Sequence, residues 1–211
     1  MKTIAIFVHH PYCSVQSTNG IIAALDSDYR FKLFTKHPLP DNFFRDVDMV
    51  AVPGGLGDAD NFSKLMVHNG ESIKHFVQSG GAYLGICMGA YWAGKHYFDL
   101  VDSLDIVQYI RRPLTDTRRP HAKALDVLWQ KRREKKFFYD GCSIIGKGPK
   151  RVWANYMNGD PMAVIQNRIG LIGCHPESDE HWYNSYTWMR KHSQLNHYQL
   201  LKNFVDSIMT A

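Results

Sequence analysis

Residues 80–91 read Gly80-Gly81-Ala82-Tyr83-Leu84-Gly85-Ile86-Cys87-Met88-Gly89-Ala90-Tyr91, and the order of residue types in this stretch decides the fold class. Ala82 to Ile86 is an apolar run of strand length. Cys87 stands at its end, with a glycine two residues before it and another two residues after. G-x-C-x-G is the spacing of a nucleophile elbow, a sharp strand-to-helix turn in which strand and helix touch and small residues are required. The turn aims the Cys87 sulfur away from the sheet and toward the N-terminus of the following helix. That helix end favours the thiolate and offers the Met88 backbone N–H as a donor to an oxyanion.

Toward the N-terminus, Ile4 to Val8 is an unbroken apolar run, the pattern of a strand buried on both faces. Residues 18–25 fit a helix and Phe31 to Thr35 a second strand. Met49 to Val52 is another buried run, halted by Pro53-Gly54-Gly55. Asp58 or Asp60 then caps a helix that Gly70 breaks. Ile73, Phe76 and Val77 carry the i, i+3, i+4 stripe of a further helix, closed by Gly80-Gly81. Strands alternating with helices pair in parallel through right-handed crossovers, which gives a doubly wound α/β fold with a mostly parallel sheet. Ligands of such sheets bind at the carboxyl ends of the strands. Pro53-Gly54-Gly55 and Cys87 both fall there.

Toward the C-terminus, residues 99–150 are basic and rich in turn residues, and they read as an insertion or lobe on a single domain spanning residues 1–211. Arg151 to Met157 and Met162 to Ile165 flank the turn signal Asn158-Gly159-Asp160-Pro161. Ile169 to Cys174 is a further strand, and His175 follows it directly. Tyr198, Leu201, Val205 and Ile208 form the apolar stripe of a C-terminal helix.

A thiolate nucleophile requires a base, and the chain has 11 histidines from which to choose it. His175 ends a buried strand and emerges on the same sheet edge as Cys87. Glu177, beyond Pro176, can turn back to orient its imidazole. His9 and His10 end the first strand, where they could line the same cleft in a structural or substrate-facing role. His68 and His75 fall on a surface helix. His181, His192 and His197 resemble a cluster, but positions 192 and 197 point to different sides of a helix. No cysteine, histidine and carboxylate set has ligand spacing, so neither a metal nor another cofactor is expected.

Composition sets the outer limits. The 211 residues, 45% hydrophobic and 21% charged, suffice for a buried core and argue against wholesale disorder. No apolar stretch approaches the about 18 residues of a membrane span. The N-terminal run is too short for a signal peptide. Cys13, Cys87, Cys142 and Cys174 form no C-x-x-C pair, which suits free thiols in a cytoplasmic protein. Of the net charge of +5, the segment 111–136 contributes +7, leaving −2 for the rest. Such a segment is either a solvated face or a polyanion-binding one. In the latter case Trp129, Phe137, Phe138 or Tyr139 would stack on bases.

A cysteine elbow followed much later by His175-Pro176-Glu177 resembles the class I glutamine amidotransferase-like superfamily, whose fold is flavodoxin-like. Within it the chain is similar to the amidotransferase-like domain at the N-terminus of biotin-protein ligases. Val52 to Gly55, Gly81 to Tyr91, the hairpin from Ala154-Asn155-Tyr156 to Val164, and Gly173 to Glu177 carry the likeness, which leaves out residues 111–136. The resemblance implies Cys87 as nucleophile, His175 as base, Glu177 as its orienter, and an oxyanion hole from the Gly55 and Met88 N–H groups. A glycine at position 55 lets its amide approach the reacting carbonyl. Gly54 and Tyr91 fall on the substrate side. Glutaminases of the superfamily usually carry glutamine four residues after the cysteine; Tyr91 stands there here. The ligase catalytic domain is absent from the chain.

The sequence therefore supports a cysteine-dependent hydrolase or transferase acting on a small-molecule amide or related acyl compound, with a partner synthetase or ligase subunit in prospect. A catalytically idle binding or regulatory domain of the same fold is the rival, with nucleic acid bound through residues 111–136. The intracellular protease or deglycase branch ranks lower. It places a histidine after the nucleophile and an acid at the end of the first strand, where this chain has Met88 and His9-His10.

Overall fold

Every apolar run expected to be a strand in the N-terminal half forms one in the computed structural model, which describes residues 1–11, 15–55, 61–192 and 197–211. Cys13, Asp58 and Asp60 lie outside the described residues. The chain runs through β1 (Lys2–Phe7), α1 (Val15–Leu25), β2 (Tyr29–Phe34) and β3 (Met49–Val52). It continues through α2 (Phe62–Leu65), α3 (Gly70–Gln78), β4 (Ala82–Ile86) and α4 (Met88–Trp92). β5 (Asp105–Gln108), β6 (Lys123–Trp129), β7 (Arg132–Phe138) and β8 (Cys142–Ile145) follow. β9 (Arg151–Tyr156), β10 (Pro161–Gln166), β11 (Ile169–Ile172), α5 (Glu180–Asn184) and α6 (Tyr198–Met209) complete it.

Among the described residues, nine strands form one sheet in the order β2-β1-β3-β4-β11-β10-β9-β6-β7. The first five are parallel, and β10, β9, β6 and β7 extend them antiparallel. The unbroken apolar runs follow from burial on both faces. In β1, Ile4 and Ile6 enter the core under α1 and α6, while Ala5 and Phe7 enter the opposite core with Val50, Tyr83 and Trp92. Each fully buried Ile or Phe contributes about 1.5–3 kcal/mol, so alternating polar residues at these positions would leave one layer unsupported.

Two details differ from the sequence reading. Gly70 does not break a helix: it opens α3, and the interruption lies at Met66–Asn69. The cause is Asn69, whose side chain donates to the Thr35 and His37 carbonyls and accepts from the Leu39 N–H, anchoring the turn to the chain after β2. The second concerns residues 99–150, where charge and turn residues hide four strands. β5 pairs with β8 in a small separate sheet, whereas β6 and β7 join the edge of the main one. The β6–β7 turn is made by Gln130 and Lys131, both at positive φ (48° and 69°). That is a geometry for which asparagine or glycine is the usual signal.

Candidate active site

β3, β4 and β11 are neighbours in the sheet, with Val52 beside Gly85 and Ile86 beside Ile172. Three sequence-distant segments therefore leave the carboxyl edge together: Pro53-Gly54-Gly55 from β3, Cys87 from β4, and Gly173-Cys174-His175 from β11.

The turn at Cys87 is an elbow in its geometry. Cys87 has φ 49° and ψ −103°, a backbone conformation costing about 1–3 kcal/mol that surrounding structure must hold in place. Its N–H donates to the Ile172 carbonyl at 2.8 Å, and its carbonyl accepts from Ala90 and Tyr91 at 3.0 and 3.1 Å to start α4. The flanking glycines are required by contact. A Cβ on Gly89 would lie 1.9 Å from the Val52 carbonyl oxygen, and one on Gly85 would lie 2.5 Å from the Gly89 carbonyl oxygen. Met88 opens α4 and buries its side chain in the core with Tyr83 and Trp92.

His175 is buried, and its Nδ1 lies 2.8 Å from Glu177 Oε1. Glu177 is fully buried, and the same oxygen accepts from Ser17 Oγ at 2.6 Å. Ser17 Oγ in turn accepts from the Gly54 N–H at 3.0 Å. Gly54 packs on the imidazole so closely that a Cβ there would be 2.5 Å from His175 Cε1. Burial opposes protonation of His175, but the Glu177 charge and the Cys87 side chain outweigh it and raise the imidazolium pKa to about 10. The structure thus brings together Cys87, His175, Glu177 and Gly54, with Gly55 alongside. It adds Ser17, which no motif announces because a helical serine has no signature until its partner is known.

A cleft of about 200 Å³ opens over His175, Gly54 and Gly55, and Cys87 is not among its described lining residues. Phe137, Tyr139, Trp182 and Tyr186 also line it. Phe137 and Trp182 meet edge to face at 5.1 Å, and Trp182 lies 5.3 Å from the His175 ring. The β7 end is tied to the site by the His175 N–H, which donates to the Phe137 carbonyl at 2.9 Å. Tyr139 stands over the cysteine, its carbonyl accepting from Cys87 Sγ at 3.8 Å. Tyr91 is fixed to the same turn: its hydroxyl donates to the Asp140 carbonyl at 3.3 Å, while Gln108 holds the Asp140 carboxylate at 3.0 Å. Burial drives the Tyr91 phenol pKa far up, so it stays a neutral donor. The described lining of the cleft includes neither His9 nor His10.

The fold has known counterparts. A glutamine amidotransferase from Thermotoga maritima superposes with a TM-score of 0.71 at 11% identity, covering 100% of this chain and 99% of that one. The chain has the class I glutamine amidotransferase-like fold. PurLQS from Thermotoga maritima matches with a TM-score of 0.65 at 12% identity, over 99% of this chain and 100% of that one. A protein described as a GMP synthase subunit from Thermoplasma acidophilum matches at 0.62 and 15%, over 100% and 94%. In sequence, the family described as "Biotin-protein ligase, N terminal" matches residues 12–112, so the likeness in sequence is to that family. No curated protein matches the chain in sequence.

Other features of this amidotransferase-like chain lie away from the cleft. Trp129 and Phe138 are core residues and Phe137 is buried against His175, while Tyr139 is exposed. Part of the basic segment is paired internally, Arg112 with Asp160, and Arg133 and Lys135 with Asp126. Lys136 is fully buried, 3.0 Å from His197 Nδ1 and over the Trp129 ring. Among the described residues, no group of three His, Cys, Asp or Glu side chains could hold a metal ion. Nor is any described helix long and apolar enough to cross a membrane.

Proposed function

We propose that the chain is a cysteine-dependent amidotransferase-like hydrolase or transferase acting on an amide or related acyl carbon. The observation that carries this reading is the buried relay Ser17–Glu177–His175, with contacts of 2.6 and 2.8 Å, next to a cysteine on a strained elbow. In this mechanism His175 holds the proton and the Cys87 sulfur attacks the acyl carbon as a thiolate. The oxyanion is received by the backbone N–H groups of Gly55 and Met88. The carbon–nitrogen bond breaks as His175 gives the proton to the leaving amine, leaving a thioester on Cys87. Water, or an acceptor brought by a partner synthetase or ligase subunit, then attacks that thioester while His175 takes its proton. Glu177 holds the imidazole in one orientation and balances its charge.

On this reading residues 1–211 work as one domain, and the inserted part 99–150 supplies the cleft wall at Phe137 and Tyr139. Gly54 fits substrate close to the imidazole. Tyr91 takes part by fixing the turn that covers the nucleophile. A cytoplasmic setting keeps Cys87 reduced. One observation favours the idle domain instead: the Cys87 thiol has a carbonyl acceptor in Tyr139, which suits S–H rather than a thiolate.

The rate of Cys87 alkylation against pH, read by peptide mass spectrometry in wild type and His175→Ala, separates the two. Cys142 and Cys174, buried and with raised thiol pKa values, are internal controls. Fast labelling below pH about 7 that is lost in the variant supports the hydrolase. Labelling that rises only near the ordinary thiol pKa of about 8.5, whatever stands at 175, supports the idle domain.

A further inference from the structure

The cleft selects a chemical class of substrate. The imidazole in the floor is already committed to Glu177 at 2.8 Å. The described lining offers ring surface from Phe137, Tyr139, Trp182 and Tyr186, with Gln16 and Ser185 as polar groups at the side. Phe137 and Trp182 are buried, edge to face at 5.1 Å, and fixed before anything binds. Such a surface suits a flat ligand that can stack or pack edge to face. The volume of about 200 Å³ is below the about 300 Å³ at which pockets begin to take drug-sized ligands, which leaves space for a single ring.

We propose that the substrate is a single-ring aromatic or heteroaromatic carboxamide, hydrolysed at its carbonyl–nitrogen bond. The proposal rests on the hydrolase reading above. Cys87 displaces ammonia from the carboxamide, giving an aroyl thioester. Water then releases the aromatic carboxylic acid and regenerates the thiol, so one amide and one water yield one acid and one ammonia.

The test uses three probes on the full chain. p-Nitrophenyl acetate reports on the machinery alone, through acetylation of Cys87 seen by mass spectrometry in wild type but not in His175→Ala. Ammonia release from benzamide and from L-glutamine reports on selectivity. The expected result is acetylation of Cys87 together with a kcat/KM for benzamide at least about tenfold above that for glutamine, a margin of the size that pocket contacts commonly supply. Tyr139→Ala, at an exposed position, narrows that margin, mainly by raising KM for benzamide. Acetylation without benzamide cleavage, or with glutamine cleaved as well as benzamide, overturns the substrate class and leaves the hydrolase. Failure of Cys87 to be acetylated in a His175-dependent way overturns the hydrolase itself.

Discussion

Ser17 on α1 donates to Glu177 Oε1 at 2.6 Å while its own oxygen accepts from the Gly54 N–H at 3.0 Å. One hydroxyl thereby connects the acid behind His175 to the loop beside the nucleophile. Ser17→Ala removes a hydrogen bond to a buried carboxylate, worth about 1.5–3 kcal/mol, and frees the Gly54 loop. The variant is expected to unfold at lower urea concentration. It is also expected to show slower Cys87 alkylation near neutral pH, with the midpoint of the pH profile shifted. Lowered stability with an unchanged alkylation profile would reduce Ser17 to a packing role.

Glu177→Gln tests the charge behind His175. The imidazolium pKa is raised from 6.5 to about 10. The stabilisation it represents is therefore complete below about pH 6.5 and fades as pH rises through about 10. Without the carboxylate charge, burial is opposed less and the His175 pKa falls. Breaking a buried pair in this way costs about 3–5 kcal/mol. The variant's deficit in urea unfolding should be largest at acid to neutral pH and shrink in alkali. A deficit that does not vary with pH would show that the pair is not charged.

Gly89→Ala puts a methyl group 1.9 Å from a backbone carbonyl oxygen of Val52, which cannot swing aside as a side chain would. Overpacking of this kind costs about 1–3 kcal/mol, and here it also displaces the elbow. Gly159→Ala is the comparison: φ is +92° but no atom lies within 4 Å, so backbone strain alone, about 1–2 kcal/mol, is expected. Thermal unfolding should show both losses, and Cys87 reactivity should fall in Gly89→Ala only. Equal reactivity in the two variants would mean the elbow tolerates the shift.

Lys136 is buried beside His197, and burial lowers its pKa from 10.5 to about 8. A lowered ammonium pKa penalises the fold wherever the lysine is charged. At about 1.4 kcal/mol per pKa unit, the penalty is about 3 kcal/mol below pH 8 and vanishes above about 10.5. Lys136→Met should therefore stabilise the protein at neutral pH, with the gain shrinking in alkali. Denaturant unfolding across that range is the check. A loss of stability at neutral pH would show that the ammonium is held by its contacts with Glu134 and the Trp129 ring.

The parts legible in the sequence are those where one physical requirement dominates. β1, β3 and β4 are buried on both faces, so continuous apolar runs betray them. The elbow shows because Gly85 and Gly89 face backbone at under 3 Å. His175 and Glu177 show because a short loop at a strand end leaves them little choice of edge. The cleft wall is hidden for the converse reason. β7 reads Arg132-Arg133-Glu134-Lys135-Lys136-Phe137-Phe138, with charges on an edge strand and a buried lysine breaking the alternation. Its turn uses Gln130 and Lys131 where glycine would have given a signal. Ser17 is invisible because its role depends on a partner 160 residues away.

That separation bears on how the protein is made. Cys87 leaves the ribosome well before His175 and Glu177, and Ser17 earlier still. A growing or half-folded chain therefore carries its sulfur without the imidazole beside it, and reactivity of the kind proposed can arise only when β11 has docked against β4. Assembly of the sheet and arming of the thiol are one event.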